Sequence, residues 1–297
     1  MARSYPSDVL VIDTDAIVHA RFGRGKKNPR LVQTKAYRLA AGTFTPSVVT
    51  PQLANEHGLA DTLRRLRNET GRWDKVSLLL PDSWFRINIV DLPSLPSKDS
   101  DALEVVRWSL KRTLPIPPEQ LRVTYMVLSR NGEGAKVLVL SAFEATLAAI
   151  ERVLGAAGLD VVLVEPLGLN IWNAITVREA ETTGDRLFLY VRESDFTTAV
   201  FRGAQPLFIR SRNLSSARTV DQEIRLSANF LRDSLEIDTF AQCYVAGNGG
   251  PAVHEILAAE FNTQVRAISL RDFIEDVPAE TYGLDAELTA CSGVFTG

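Results

Sequence analysis

The chain has 297 residues, 45% of them hydrophobic and 23% charged, enough apolar material for two domains that each bury a core. Its 33 basic and 36 acidic residues nearly cancel, so the whole molecule has no field that would drive binding to nucleic acid or anionic lipid. Cys243 and Cys291 stand far apart in apolar stretches, the setting of reduced core thiols in the cytoplasm and not of a disulfide or metal knot. Neither a signal peptide nor a membrane span is expected, since no window approaches about 18 uninterrupted apolar residues.

In chain order, residues 9–12 and 17–22 read as strands around a turn of Asp13, Thr14 and Asp15, and a third strand covers 31–39 after a loop marked by Gly23, Gly25 and Asn28-Pro29. The spacing of Leu53, Leu59, Leu63 and Leu66 predicts a helix over 51–69, followed by a buried strand over 76–80 that Pro81 stops. Residues 84–158 differ in character. A strand at 85–90 leads to a helix from near Ser100, with Leu103, Val106, Leu110 and Leu114 as its stripe, acids at its start and Arg107, Lys111 and Arg112 toward its end. Two strands, 123–128 and 136–142, flank an Asn131-Gly132 turn, and a further helix carries Phe143, Leu147, Ile150 and Leu154. The segment reads as a split βαβ module. A strand at 161–164 and a helix over 166–177 follow.

The three-strand, helix, strand order then repeats. Strands are predicted at 187–191, 196–201 and 206–211, then a helix through Val220, Ile224, Ala228, Leu231 and Leu235. The strand Cys243-Tyr244-Val245-Ala246 runs into Gly247-Asn248-Gly249-Gly250 and a helix opened by Pro251. A strand, a glycine turn and a helix N-terminus together make a candidate phosphate cradle.

This duplication resembles the actin-like ATPase superfamily, and within it the PilM-like type IV pilus assembly proteins. The stretch from Val106-Arg107-Trp108 to Pro115-Ile116-Pro117 is similar to that family's "VRWEAEQYIPFP" segment. Ala157-Gly158-Leu159 and Val164-Glu165-Pro166 match its next landmarks, and the Gly247 turn stands where the family has its adenosine loop. A kinship with the GspL cytoplasmic domain of type II secretion is also visible. The resemblance implies an α/β, actin-like fold of duplicated RNase H-like lobes. The first lobe is assigned to 1–83 with 159–183, an inserted small module to 84–158, and the second lobe, with a minimal insertion of its own, to 184–297.

Three departures bear on ATP. Asp13-Thr14-Asp15 puts a second carboxylate where the family has a glycine beside a phosphate. Tyr190-Val191-Arg192-Glu193-Ser194-Asp195 lacks the aspartate and glycine of the second phosphate hairpin. Only a short connection separates Ser211 from Val220, where the family walls in the base and ribose. ATP and magnesium are what such a cleft takes in the family, but here both phosphate clamps read as disabled.

Each site residue has a plainer competing role. Asp13, Thr14 and Asp15 form a vestigial nucleotide site or simply a tight turn, and Gly247, Asn248, Gly249 and Gly250 a strand-to-helix turn. Glu165 would face an attacking water only in a working ATPase. Arg21, Arg24, Lys26, Lys27 and Arg30 crowd one loop, as a lipid-facing patch or as a solvated turn. His19, His57 and His254 have no ligand spacing, so no metal site and no catalytic residue are assigned. Trp84, Arg107 and Trp108 are the candidates for partner binding, against core packing for the two tryptophans.

The reading that results is a cytoplasmic scaffold, not an enzyme, held at the inner membrane by the cytoplasmic N-terminal peptide of a PilN-like protein. The implied groove lies between the Val76 strand region and the Ser100 helix module. Self-association is compatible with it. An active ATPase or small-metabolite kinase with an atypical phosphate site is the alternative.

Overall fold

The computed structural model describes residues 5–45, 51–111, 116–179, 183–193, 195–214, 218–278, 281 and 283–295. Arg112, Leu114 and Pro115 at the end of the predicted Ser100 helix, and Ser194 of the second hairpin, lie outside them.

In the first lobe β1 (Asp8–Ile12) turns back into β2 (Ala16–Gly23), which pairs antiparallel with β3 (Arg30–Arg38). Every residue of β1 is buried, because the strand is covered on both faces, and after Asp8 its sequence is accordingly a continuous apolar run. The short strands β4 (Phe44–Thr45) and β5 (Gln52–Leu53) pair next, so the helix predicted from residue 51 starts later. The Asn55 carboxamide accepts the Gly58 N–H at 2.8 Å and caps α1 (Glu56–Thr70) at that point. β6 (Lys75–Leu80) then enters parallel to β1.

The inserted sheet has the order β7-β9-β8, from β7 (Phe85–Leu92), β8 (Leu121–Asn131) and β9 (Gly134–Phe143). Its own core joins Val106 and Leu110 of α2 (Asp99–Leu110) to Leu92, Val123, Val137 and Val139. Leu147, Ile150 and Leu154 of α3 (Glu144–Ala156) share one core with Leu59, Leu63 and Leu66 of α1 and with Phe85 and Ala142 of the inserted sheet, so α3 joins the insertion to the first lobe. β10 (Asp160–Pro166) and α4 (Leu167–Arg178) complete that lobe, whose sheet order is β10-β6-β1-β2-β3.

The second lobe holds β11 (Asp185–Val191), β12 (Asp195–Arg202), β13 (Gln205–Asn213), α5 (Val220–Leu235), β14 (Gln242–Gly247) and α6 (Pro251–Phe261). Two elements absent from the sequence reading follow, β15 (Val265–Ala267) and α7 (Asp285–Gly293). The order β13-β12-β11-β14-β15 repeats the first sheet strand for strand. α5 follows β13 after a short connection, as the sequence reading has it.

α1 and α3 cover the outer face of the first sheet, α5 and α6 that of the second. α4 and α7 lie between the sheets in one shared core with Val9, Val11, Phe188, Tyr190 and Tyr244. The two helices touch where α7 has no side chain: a Cβ on Gly293 would stand 1.9 Å from the Asn170 carbonyl oxygen.

Candidate functional site

A cleft of about 450 Å³ opens where the β1–β2 and β11–β12 turns, the end of β14 and the start of α7 converge. The first turn is held by the Asp13 N–H, which donates to the Ala16 carbonyl at 2.8 Å. The Thr14 N–H donates back to Asp13 Oδ1 at 2.6 Å, which fixes the carboxylate toward the opposite lobe. There Asp13 Oδ2 meets an Arg192 nitrogen at 2.6 Å, and the same nitrogen lies 3.3 Å from Glu287 Oε1 of α7. The three side chains are only 9%, 16% and 16% exposed, so this ion pair is largely shielded from water.

The lining carries the carboxyls of Asp13, Asp15, Glu193, Asp285 and Glu287 against the single guanidinium of Arg192. Burial pulls against the charge of Arg192, but the groups facing it, Tyr190, Asp13 and Glu287 first among them, hold it above its ordinary range. Burial raises the Glu287 carboxyl, and Arg192 opposes that shift. Deeper between the lobes, fully buried Asp82 accepts the Gly168 N–H at 2.7 Å. Burial pushes its pKa up to about 6, with nearby Asp195 adding to the shift.

Asp13, Thr14, Asp15, Gly247 and Asn248 are brought together here, whereas Gly249 and Gly250 are not part of the lining. Gly247 has φ +80°, and a Cβ on it would stand 2.1 Å from the Val191 carbonyl oxygen, so only glycine fits. The Asn248 N–H donates to that oxygen at 2.7 Å and is spent inside the protein. Glu165 does not line the cleft. Arg192 entered the sequence reading only as a departure from a motif, and Glu287 not at all. The signal for Arg192 was the repeat itself, since it follows β11 as Asp13 follows β1.

The partner-binding candidates do not converge. Trp84 is corrected outright: it is buried in the first-lobe core against Phe44, with ring centroids 5.1 Å apart, and presents no surface to a partner. Trp108 is 64% exposed, and Arg107 pairs with Glu104 along α2. Neither lines the groove of about 330 Å³ that the structure does contain, between β10 and the β8–β9 hairpin. That groove is floored by Phe85, Leu140, Ala142 and Leu147 and edged by residues 161–164. β10 and β8 are both edge strands, so each offers unpaired backbone groups toward it. Arg122 at its rim is gripped by Glu144 at 2.7 Å and by Glu151 at 2.5 Å, so its charge is more than balanced at that end.

The basic loop is pinned from within. Arg21 turns to Asp8 at 2.7 Å, and the N–H groups of Lys26, Lys27 and Asn28 all donate to the Glu275 carboxylate. Those donors draw the Glu275 pKa down to about 2. His19 is buried, stacked on Trp73 and bonded to Asp8 at 2.8 Å. Burial raises both thiols, Cys243 to about 12. Among the described residues no group of three His, Cys, Asp or Glu is disposed to hold a metal ion, and no helix is long and apolar enough to cross a membrane.

Two copies of one sheet-and-helix unit facing each other across a cleft define the class. No protein-family model matches the chain, and no curated protein matches it in sequence. Solved structures do. The chain is similar to the PilM-PilN type IV pilus biogenesis complex over 99% of both chains, at a TM-score of 0.79 and 18% identity. A Bacteroides thetaiotaomicron protein with an actin-like ATPase fold gives a TM-score of 0.56 at 12% identity, covering 95% of this chain and 96% of that one. The cytoplasmic domain of EpsL, an inner membrane component of the Vibrio cholerae type II secretion system, gives 0.56 at 11% identity, covering 98% and 94%. The chain has the actin-like ATPase fold.

Proposed function

We propose that this protein is a non-catalytic, actin-like scaffold of a type IV pilus or related secretion machine. It works in the cytoplasm at the inner membrane, held there by the cytoplasmic N-terminal peptide of a PilN-like partner. One observation carries the reading: the cation that meets Asp13 in the cleft is the chain's own Arg192. A triphosphate entering there has to break that ion pair and then face four further carboxyl groups, so the cleft disfavours the ligand that the fold otherwise takes. The groove between β10 and β8 supports the other half of the proposal. Its apolar floor and two strand edges suit an extended peptide that pairs through its backbone and buries alternate side chains.

Fluorescence anisotropy with the cytoplasmic N-terminal peptide of a PilN-like protein tests the proposal. Val162 is 49% exposed on β10, and Val162→Asp is expected to weaken binding at least tenfold without changing the fold. A folded protein that ignores the peptide removes the scaffold reading. Magnesium-dependent ATP binding by calorimetry, lost on Asp13→Ala, would favour the ATPase or kinase instead.

A further inference from the structure

The outer face of the second lobe carries a surface of a different kind, where the edge strand β13 meets helix α5. Phe208, Arg210 and Arg212 alternate along β13 and so share one face of the sheet. That face meets α5, because Arg210 lies 3.1 Å from Glu223 in the first turns of the helix, and Phe208 stacks on Phe230 with centroids 5.1 Å apart. Strand and helix therefore run antiparallel, and the face has two unlike ends.

At one end Arg218 also reaches Glu223, at 3.2 Å, so two guanidiniums rest on one fully buried carboxylate. Arg212 stands within electrostatic range of both. Three arginines thus gather around Glu223, which leaves this end positive among the described residues. At the other end Leu226 and Phe230, four residues apart on α5 and so adjacent on its surface, are 50% and 42% exposed. From Glu223 to Phe230 the helix rises about 10 Å, which sets the spacing between the cationic and apolar ends.

We propose that this face docks a partner protein through a segment that places two or three carboxylates next to a bulky apolar anchor. Charge complementarity identifies the occupant. A flat lipid surface needs cations that stand proud of the protein, yet Arg210 is recessed to 22% exposure and oriented by a buried carboxylate. An acidic side chain entering beside Glu223 gains the surplus positive charge of Arg210, Arg212 and Arg218, and its neighbouring apolar residue covers Leu226 and Phe230. The site is remote in the chain from the β10 groove and does not depend on what fills that groove.

Anisotropy with the full chain and a labelled peptide, Glu-Glu-Asp-Asp-Gly-Leu-Leu-Phe, provides the test, against one control with amides for the acids and another with serines for the apolar residues. The expected result is salt-sensitive binding, at least tenfold tighter than either control, that Arg212→Glu and Leu226→Asp each weaken at least tenfold. Both positions are exposed, so the variants keep the fold, and Val162→Asp in the β10 groove leaves this affinity unchanged. No binding at millimolar peptide, equal affinity for the serine control, or indifference to both substitutions overturns the proposal. So does a dimer in sedimentation that Leu226→Asp abolishes, or binding to phosphatidylserine vesicles that Arg212→Glu removes.

Discussion

Asp13 and Arg192 occupy matching places in the two repeats. Each is the residue after the first strand of its copy, and each donates its N–H to a carbonyl three residues on, of Ala16 and Asp195, at 2.8 Å. The repeat has thus kept one turn twice and given it opposite charges, which meet across the cleft. Arg192→Ala leaves Asp13 and Glu287 facing each other without a counter-ion, and urea unfolding should show a loss of about 3 kcal/mol. Added Asp13→Asn should return part of that loss. Asp82 supplies a pH test. Its carboxyl titrates at about 6 when folded against 3.8 in the unfolded chain, so the folded state holds the extra proton. The contribution to stability is complete below pH 3.8 and is lost as pH rises through 6, on the order of 3 kcal/mol in all. Asp82→Asn should therefore gain on the wild type across that window in unfolding titrations. Asp13 was singled out in the sequence through the family resemblance, with a plain tight turn as its competing role, but its partner lies about 180 residues away, and no local pattern announces a contact of that kind.

Among the elements, those with a clear apolar period were readable and those without were not. The stripes of α1, α2 and α5 and the buried runs of β1, β6 and β11 emerge from spacing alone, because each presents one consistent face or none to water. A stripe shows that a face is buried but not against what, so the sequence does not reveal that α3 packs on both α1 and the inserted sheet. α7 escaped notice for the opposite reason. All of residues 288–293 are buried, so the helix has no polar side to set a period, and its small residues give no strand or helix preference that stands out. Its close approach to α4 is testable. Gly293→Ala drives a methyl into the Asn170 carbonyl and should cost about 1–3 kcal/mol or more, seen as a lowered thermal midpoint.

For the whole molecule, the duplication and the two-lobed plan were visible in the order of predicted strands and helices, and the sheet orders reproduce them. The cleft's position was visible too. Its charge was not, since Asp285 and Glu287 arrive from a segment without a readable period. Thermal melts with millimolar ATP and magnesium are expected to show no shift, and a rise of several degrees, or ADP retained through purification, would show the Arg192 ion pair yielding to nucleotide.

The shared core behind α4 and α7 and the Asp13–Arg192 pair in front of it tie the lobes at two separate places. Parting the lobes at the mouth means pulling Asp13 away from Arg192 in a place largely shielded from water, so the chain's own charges act as a latch against whatever would spread its two halves.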